Sequence, residues 1–332
     1  MKLFDCTMRD GANVVGKGFD ARLTKMMLEG LIRSGITTIE MGNALGLGAY
    51  EANGAVAPLT DEEYLKLIQP YMDKAEIGMF MGYKNAGQAN IDLAAKYHLH
   101  FLRVGANAGD GAGAVEGIKR VKTAGITCYY SMMKGYILSP EALADEAAML
   151  ADAGLDAITI MDSAGYMDPD MAREYIAALT KKVNIPVGFH GHSNLGMSVA
   201  NAVAALEAGA EILDCGLLGM ARSAGNCATE LIAAALKKKG YLPELKLYTL
   251  LDFLDDELIP AMREYDYRTA VTPNDLVYGF AGCHSSFSKT LEAVAKEKGV
   301  PLYKLIVEVS KRDRKSPSRE LMEEVAGKLE RI

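Results

Sequence analysis

The chain has 332 residues, half of them hydrophobic, enough for one large core or two smaller ones. With 36 lysines and arginines against 43 acids its formal charge is −7, so neither nucleic acid nor an anionic membrane is expected as a partner. Five scattered cysteines without CxxC spacing fit reduced thiols in a cytoplasmic protein better than a disulfide framework.

At the amino terminus Asp5 falls where a secretory signal needs its apolar run, and no later segment approaches the length of a membrane span. Short apolar or β-branched runs then recur at residues 2–8, 37–41, 76–81, 101–104, 127–132, 157–161, 186–189 and 211–215, which predicts eight strands. Helix-period segments lie between them, among them 24–34, 114–123, 140–153, 170–182 and 198–208. Gly35, Gly125, Gly154 and Gly209 punctuate the returns to strand. Strand and helix in alternation imply a parallel sheet, and this count predicts an α/β fold, a (β/α)8 TIM barrel rather than an open doubly wound sheet. Beyond Gly240 the pattern turns acidic and helical, with helices expected at 250–262, 285–298, 302–310 and 318–332. The chain thus divides into a barrel, 1–245, and a helical carboxy-terminal domain, 246–332. Residues 311–319, rich in Lys, Arg, Ser and Pro, read as a solvated turn.

In such a barrel, chemistry collects at the carboxyl ends of the strands. There stand Thr7-Met8-Arg9-Asp10-Gly11, Met161-Asp162-Ser163-Ala164-Gly165, His190-Gly191-His192-Ser193-Asn194, and a glycine-rich turn, 219–225, before Asn226. Alternation along a strand puts His190 and His192 on one face, where they either converge on an ion or form a hydrogen-bonded polar rim. Asp10, on a strand next to theirs in a closed barrel, either completes a His₂Asp set with positions open to substrate or caps the first helix. Arg9 either steadies the charge on an enolate oxygen or is solvated at the surface. Asn226 is a neutral fourth ligand or a turn residue, and Asp162 and Ser163 orient a ligand or cap the next helix. Phe80, Tyr83 and Tyr136 are placed near a pocket by loop position alone.

Gly109, Gly111 and Ala114 fit a dinucleotide-binding GxGxxA, but Tyr129 to Met133 stand where its acid should follow, so a mobile loop is expected instead. His98 and His100 precede the fourth strand, at the barrel's other end, and are expected to serve stability or be solvent-exposed.

Leu3-Phe4-Asp5-Cys6-Thr7-Met8-Arg9-Asp10-Gly11, with His190-x-His192 and Gly225-Asn226, resembles the metal-dependent superfamily of pyruvate aldolases, hydroxymethylglutaryl-CoA lyase and isopropylmalate synthase. Met161 to Gly165, and Tyr278 to Phe287 in the helical region, extend the resemblance to the 4-hydroxy-2-oxovalerate aldolases over nearly the whole chain. The resemblance implies a divalent ion, usually Mn²⁺ with Mg²⁺, Co²⁺ or Zn²⁺ as alternatives, held by Asp10, His190 and His192. It implies that Arg9 steadies the pyruvate enolate and that Ser163 meets the substrate carboxylate. The family's general base is a His where this chain has Asn13, and its aldehyde pocket is bordered by a Tyr where this chain has His284. An amide cannot accept a proton at neutral pH, so Asn13 is left a place beside the substrate, and His284 or Lys134 becomes the candidate base; Lys134 would first have to give up its own proton.

The expected activity is cleavage of a 4-hydroxy-2-oxo acid to pyruvate and an aldehyde. Two alternatives are a Claisen-type acyl-CoA lyase or synthase of the same superfamily, and a non-catalytic metal- or partner-binding homologue. The first lacks an evident CoA site and regulatory domain; the second leaves Arg9 without a role. The expected partners are the 2-oxo acid and aldehyde, further copies of the chain, and, through the helical domain, an acylating aldehyde dehydrogenase.

Overall fold

The computed structural model describes residues 1–268, 273–281, 283, 287–313 and 317–331, except the side chains of 53, 275 and 278–280. Eight parallel strands close into a barrel in sequence order: β1 (Lys2–Asp5), β2 (Thr38–Met41), β3 (Glu76–Gly82), β4 (Phe101–Asn107), β5 (Thr127–Met133), β6 (Ala157–Asp162), β7 (Val187–Gly191) and β8 (Ile212–Cys215). The seam is made by β1 and β8, which pair from Lys2–Ile212 to Asp5–Cys215. The helices α1 (Ala21–Arg33), α2 (Asp61–Ile68), α3 (Gln88–Lys96), α4 (Val115–Thr123), α5 (Pro140–Asp152), α6 (Pro169–Lys182), α7 (Ser198–Glu207) and α8 (Thr229–Lys238) complete the eight strand–helix units.

The expected TIM barrel is the observed one, with differences at the element ends. The first strand stops at Asp5 rather than residue 8, because the amides of Arg9, Asp10 and Gly11 turn back onto Cys6 O. This turn carries Arg9 and Asp10 over the barrel mouth. Helices α2, α3 and α8, of eight, nine and ten residues, are not among the segments named above. The single helix expected at 250–262 is α9 (Leu247–Phe253), a π-helical turn (Leu254–Leu258) and α10 (Ile259–Met262). Pro260 has no amide to continue an α-helical ladder, and the wider turn falls just ahead of it. Then follow α11 (Pro273–Ala281), which was not expected, α12 (Ser288–Lys298), α13 (Leu302–Arg312) and α14 (Arg319–Ala326), the last ending well short of residue 332. Phe253 of α9 lies so close over Gly30 of α1 that any side chain there would strike its ring. Among the described residues no helix is long and apolar enough to cross a membrane, and no disulfide joins the buried cysteines.

Inside the barrel the period of two sorts side chains into layers. Phe4, Phe101, Tyr129, Ala157 and Ile212 form an apolar floor, with the Phe101 and Tyr129 ring centres 5.0 Å apart. Two residues further along their strands stand Arg103 and Asp214, level with Glu40, all fully buried. The Arg103 guanidinium lies 4.2 Å above the Phe4 ring. Gly105, one layer higher, makes room for Phe80, whose ring a Cβ there would meet at 2.5 Å.

Candidate active site at the barrel mouth

Above the charged layer, Asp10, His190 and His192 offer one ligand atom each within 4.8 Å of one another, and all three are buried. Asp10 Oδ2 lies 3.6 Å from His190 Nε2 and 3.8 Å from His192 Nε2. The alternative readings separate here. Asp20, not Asp10, caps α1 by accepting from Leu23 N, and Asp10 caps no helix through its side chain. The left-handed positions of the last loop are Leu218, Gly219, Ser223 and Gly225, while Asn226 donates from Nδ2 to Asp10 Oδ2 at 2.9 Å. Asn226 Oδ1 is buried without a protein partner, which suits a neutral oxygen ligand. Asp162 is spent on its own loop, accepting from the amides of Tyr166 and Met167.

Electrostatics favour a carboxylate at Asp10 and a neutral imidazole at His192. Burial alone would raise Asp10, but Arg9, at 3.0 Å, and the two imidazoles reverse this and hold it below the usual carboxylate range. Burial, helped by His190, pushes His192 down to about 4 against the pull of Asp10. His190 is oriented from below, since its Nδ1 lies 3.0 Å from Asp214 Oδ2. With the proton on Nδ1, Nε2 keeps its lone pair toward Asp10.

Sequence reasoning missed Glu40, Arg103 and Asp214. Arg9 Nε donates to Glu40 Oε1 at 2.6 Å, Arg103 Nε and Nη2 donate to Glu40 at 2.6 and 3.0 Å, and Arg103 Nη1 donates to Asp214 at 2.5 Å. Their signal was present: each is a lone charge inside an apolar strand, in Thr38-Ile39-Glu40-Met41, Phe101-Leu102-Arg103-Val104 and Ile212-Leu213-Asp214-Cys215. Cys6 was also passed over; its thiol belongs to a second close group with His190 and Asp214, and burial keeps it protonated.

Arg9 is not at the surface: it is 7% exposed and stacks over Phe80 at 4.9 Å. Its Nη2 is buried with no protein partner. Asn13 turns inward, donating to Asp10 O at 2.8 Å. Ser163 Oγ accepts from Lys134 N at 2.9 Å, whereas the Lys134 side chain is exposed and its backbone is left-handed. His284 lies outside the described residues. Tyr267 reaches the site's last loop, donating from its hydroxyl to Leu218 O at 2.9 Å. A cavity of about 430 Å³ runs from Tyr267 and Leu218 to Asn226.

The GxGxxA loop holds no outside anion site, because the Glu146 carboxylate already accepts from the amides of Gly109 and Gly111. These bonds tie to α5 a loop that was expected to be mobile. His100 is structural as expected, its Nδ1 accepting from Ile77 N at 3.1 Å.

The HMGL-like family matches residues 1–256, and the DmpG-like communication domain matches residues 269–330. The chain is 32% identical to 4-hydroxy-2-oxovalerate aldolase 2 of Nocardia farcinica, over 98% of this chain and 94% of that protein. It is 30% identical to an oxaloacetate decarboxylase of Mycobacterium tuberculosis, over 93% and 90%. Its fold matches the HMG-CoA lyase from Brucella melitensis with a TM-score of 0.65 at 19% identity, covering 79% of this chain and 99% of that one. The chain belongs to the HMGL-like family and, within it, to the carbon–carbon lyases of the 4-hydroxy-2-oxovalerate aldolase type.

Proposed function

We propose that this protein cleaves a 4-hydroxy-2-oxo acid to pyruvate and an aldehyde at the site built on Asp10, His190 and His192. The observation that carries the reading is Arg9 Nη2, a buried donor with no protein partner beside those three residues. An ion-binding site alone has no use for it; an enolate oxygen does.

The donor set fits a divalent ion: one carboxylate, two imidazoles and the unpartnered Asn226 Oδ1. Such an ion, Mn²⁺ by the family resemblance, supplies Lewis-acid polarisation of the 2-oxo group. The chain's own residues do the rest. Glu40 holds the Arg9 guanidinium so that Nη2 meets the oxygen on which charge builds as the bond breaks. Ser163, whose oxygen already accepts from Lys134 N, keeps its own proton to donate to the substrate carboxylate. Asn13 positions Asp10 through its main-chain oxygen instead of taking a proton. The 4-hydroxyl proton passes to His284 or to Lys134, and His284→Ala and Lys134→Ala tell which. Residues 269–330 support association with an aldehyde dehydrogenase that takes the aldehyde, testable by co-elution of the two proteins.

The experiment is pyruvate release from 4-hydroxy-2-oxo acids by the Mn²⁺-loaded protein. Release lost in Arg9→Lys, with ion binding retained, supports the reading; no release from any such acid contradicts it. Asn13 favours one second reading, decarboxylation of a 2-oxo diacid such as oxaloacetate, as named for the mycobacterial relative. That cleavage expels CO₂ and leaves the same enolate without a base to take a hydroxyl proton, so oxaloacetate consumption belongs beside the first assay.

A further inference from the structure

The mouth also carries cations that this mechanism does not use. Lys17 lies in the loop after β1, Tyr50 in the loop after β2 and Arg222 in the loop after β8. These strands are neighbours in the closed barrel, so all three residues sit on the face that carries Asp10, His190 and His192. Lys17 Nζ stands 5.6 Å over the Tyr50 ring. Arg222 is within electrostatic reach of both Tyr50 and His192, linking the outer cluster to the inner ligands.

The loops that present these groups are pinned. Lys17 O accepts from Ala44 N at 2.8 Å. Beside Arg222, Ser223 is held left-handed at φ +61, its hydroxyl accepting from Asn194 Nδ2 at 2.6 Å. Gly225 N closes the turn onto Arg222 O at 3.2 Å.

Neither Lys17 nor Arg222 forms an ion pair among the described residues, and acids of the neighbouring loops hydrogen-bond to other groups. Asp61 accepts from Asn43 and Gly48 N, Asp162 from Tyr166 N and Met167 N, and Glu146 from the amides of Gly109 and Gly111. None of these acids, nor Glu51, which accepts from Asp61 N, pairs with Lys17 or Arg222, so both cations keep their charge free of an ion-pair partner over the candidate active site. Burial, against the pull of Arg222, keeps the Tyr50 hydroxyl protonated as a donor. A 2-oxo acid spends its own carboxylate at Ser163, and a neutral alkyl aldehyde half offers these donors nothing.

We propose that Lys17, Tyr50 and Arg222 form an anion subsite, and that the substrate carries a second carboxylate at the end remote from its 2-oxo acid group. This rests on the lyase reading above and narrows its substrate class.

The test is calorimetric binding of 2-oxoglutarate and 2-oxopentanoate to the full Mn²⁺-loaded chain. The two share a carbon skeleton and differ in a terminal carboxylate against a methyl. The expected result is 2-oxoglutarate binding tighter by about tenfold or more, with Arg222→Gln and Lys17→Gln each bringing the two constants together. Lys119→Gln removes the same charge from the exposed face of α4 and leaves the gap as it was. Equal affinities in the wild type, or a gap that survives both mouth substitutions, overturns the subsite while pyruvate release still upholds the lyase. Absence of binding by either acid and by pyruvate defeats the lyase reading and the subsite together.

Discussion

Replacing Asp214 by Asn separates the charge of the layer beneath the site from its shape. In the wild type Asp214 Oδ2 lies 3.0 Å from His190 Nδ1, placed to accept its hydrogen bond, and pairs with Arg103 at 2.5 Å. Breaking a buried ion pair costs about 3–5 kcal/mol. The lower end applies here, because Arg103 keeps two bonds to Glu40 and the Asn oxygen still accepts. At roughly 2 °C per kcal/mol for a chain of this size, the melting temperature falls by about 6 °C. The second effect falls on the ion. Two guanidiniums, Arg9 and Arg103, face three carboxylates, Asp10, Glu40 and Asp214, and the substitution removes the excess negative charge that favours a cation. It also weakens the acceptor that orients His190. Loss of such a partner costs about 10–100-fold in metal affinity, or about 1.4–2.7 kcal/mol. Mn²⁺ titration of the chelator-treated protein by calorimetry, beside melting followed by circular dichroism, reads the two effects separately. A folded Asp214→Asn protein that binds Mn²⁺ within twofold of the wild type refutes the reasoning.

Glu230, fully buried, is pushed up to about 7 by burial against its hydrogen bond from Leu218 N. A carboxyl that holds its proton longer when folded contributes its full stability below about 4.5 and loses it as pH rises through about 7, a change of about 3 kcal/mol. Asp5, pushed up to about 6 by its burial, adds a slope of the same sign at lower pH. The urea midpoint should therefore fall between pH 5 and 8, and Glu230→Gln should flatten the upper part; an unchanged slope contradicts the assignment. Gly105→Ala drives a methyl into the Phe80 ring, on which Arg9 rests; about 1–3 kcal/mol of stability and most of the turnover should be lost, and full turnover would mean that Phe80 does not position Arg9. Restoring Mn²⁺ at about 100 times its dissociation constant should add about 2.7 kcal/mol to the stability of the chelated protein, and an unmoved melting curve would argue against a folded-state ion site.

The barrel was legible because each strand is a short apolar run and several of the connecting helices end in glycine. The ligand candidates were legible because Asp10, His190 and His192 stand at strand ends, where the period of two predicts a shared face. Glu40, Arg103 and Asp214 were not read, although each interrupts an apolar strand, because a lone charge there names no partner: Arg103 and Asp214 are 111 residues apart and meet only when the barrel closes. The break at Leu254–Leu258 escaped for a different reason, since a π-helical turn keeps the apolar positions close to helical spacing. The placement of Asn13 against Asp10 O follows from a turn that the expected longer first strand concealed.

The most direct test of the site's chemistry is exchange of the pyruvate methyl protons in deuterated water, followed by NMR with Mn²⁺-loaded protein. Enolate formation at Asp10, His190 and His192 predicts exchange that needs the ion, falls sharply in Arg9→Lys and vanishes in His192→Ala. Exchange that persists without the ion, or that is indifferent to both substitutions, would contradict the account.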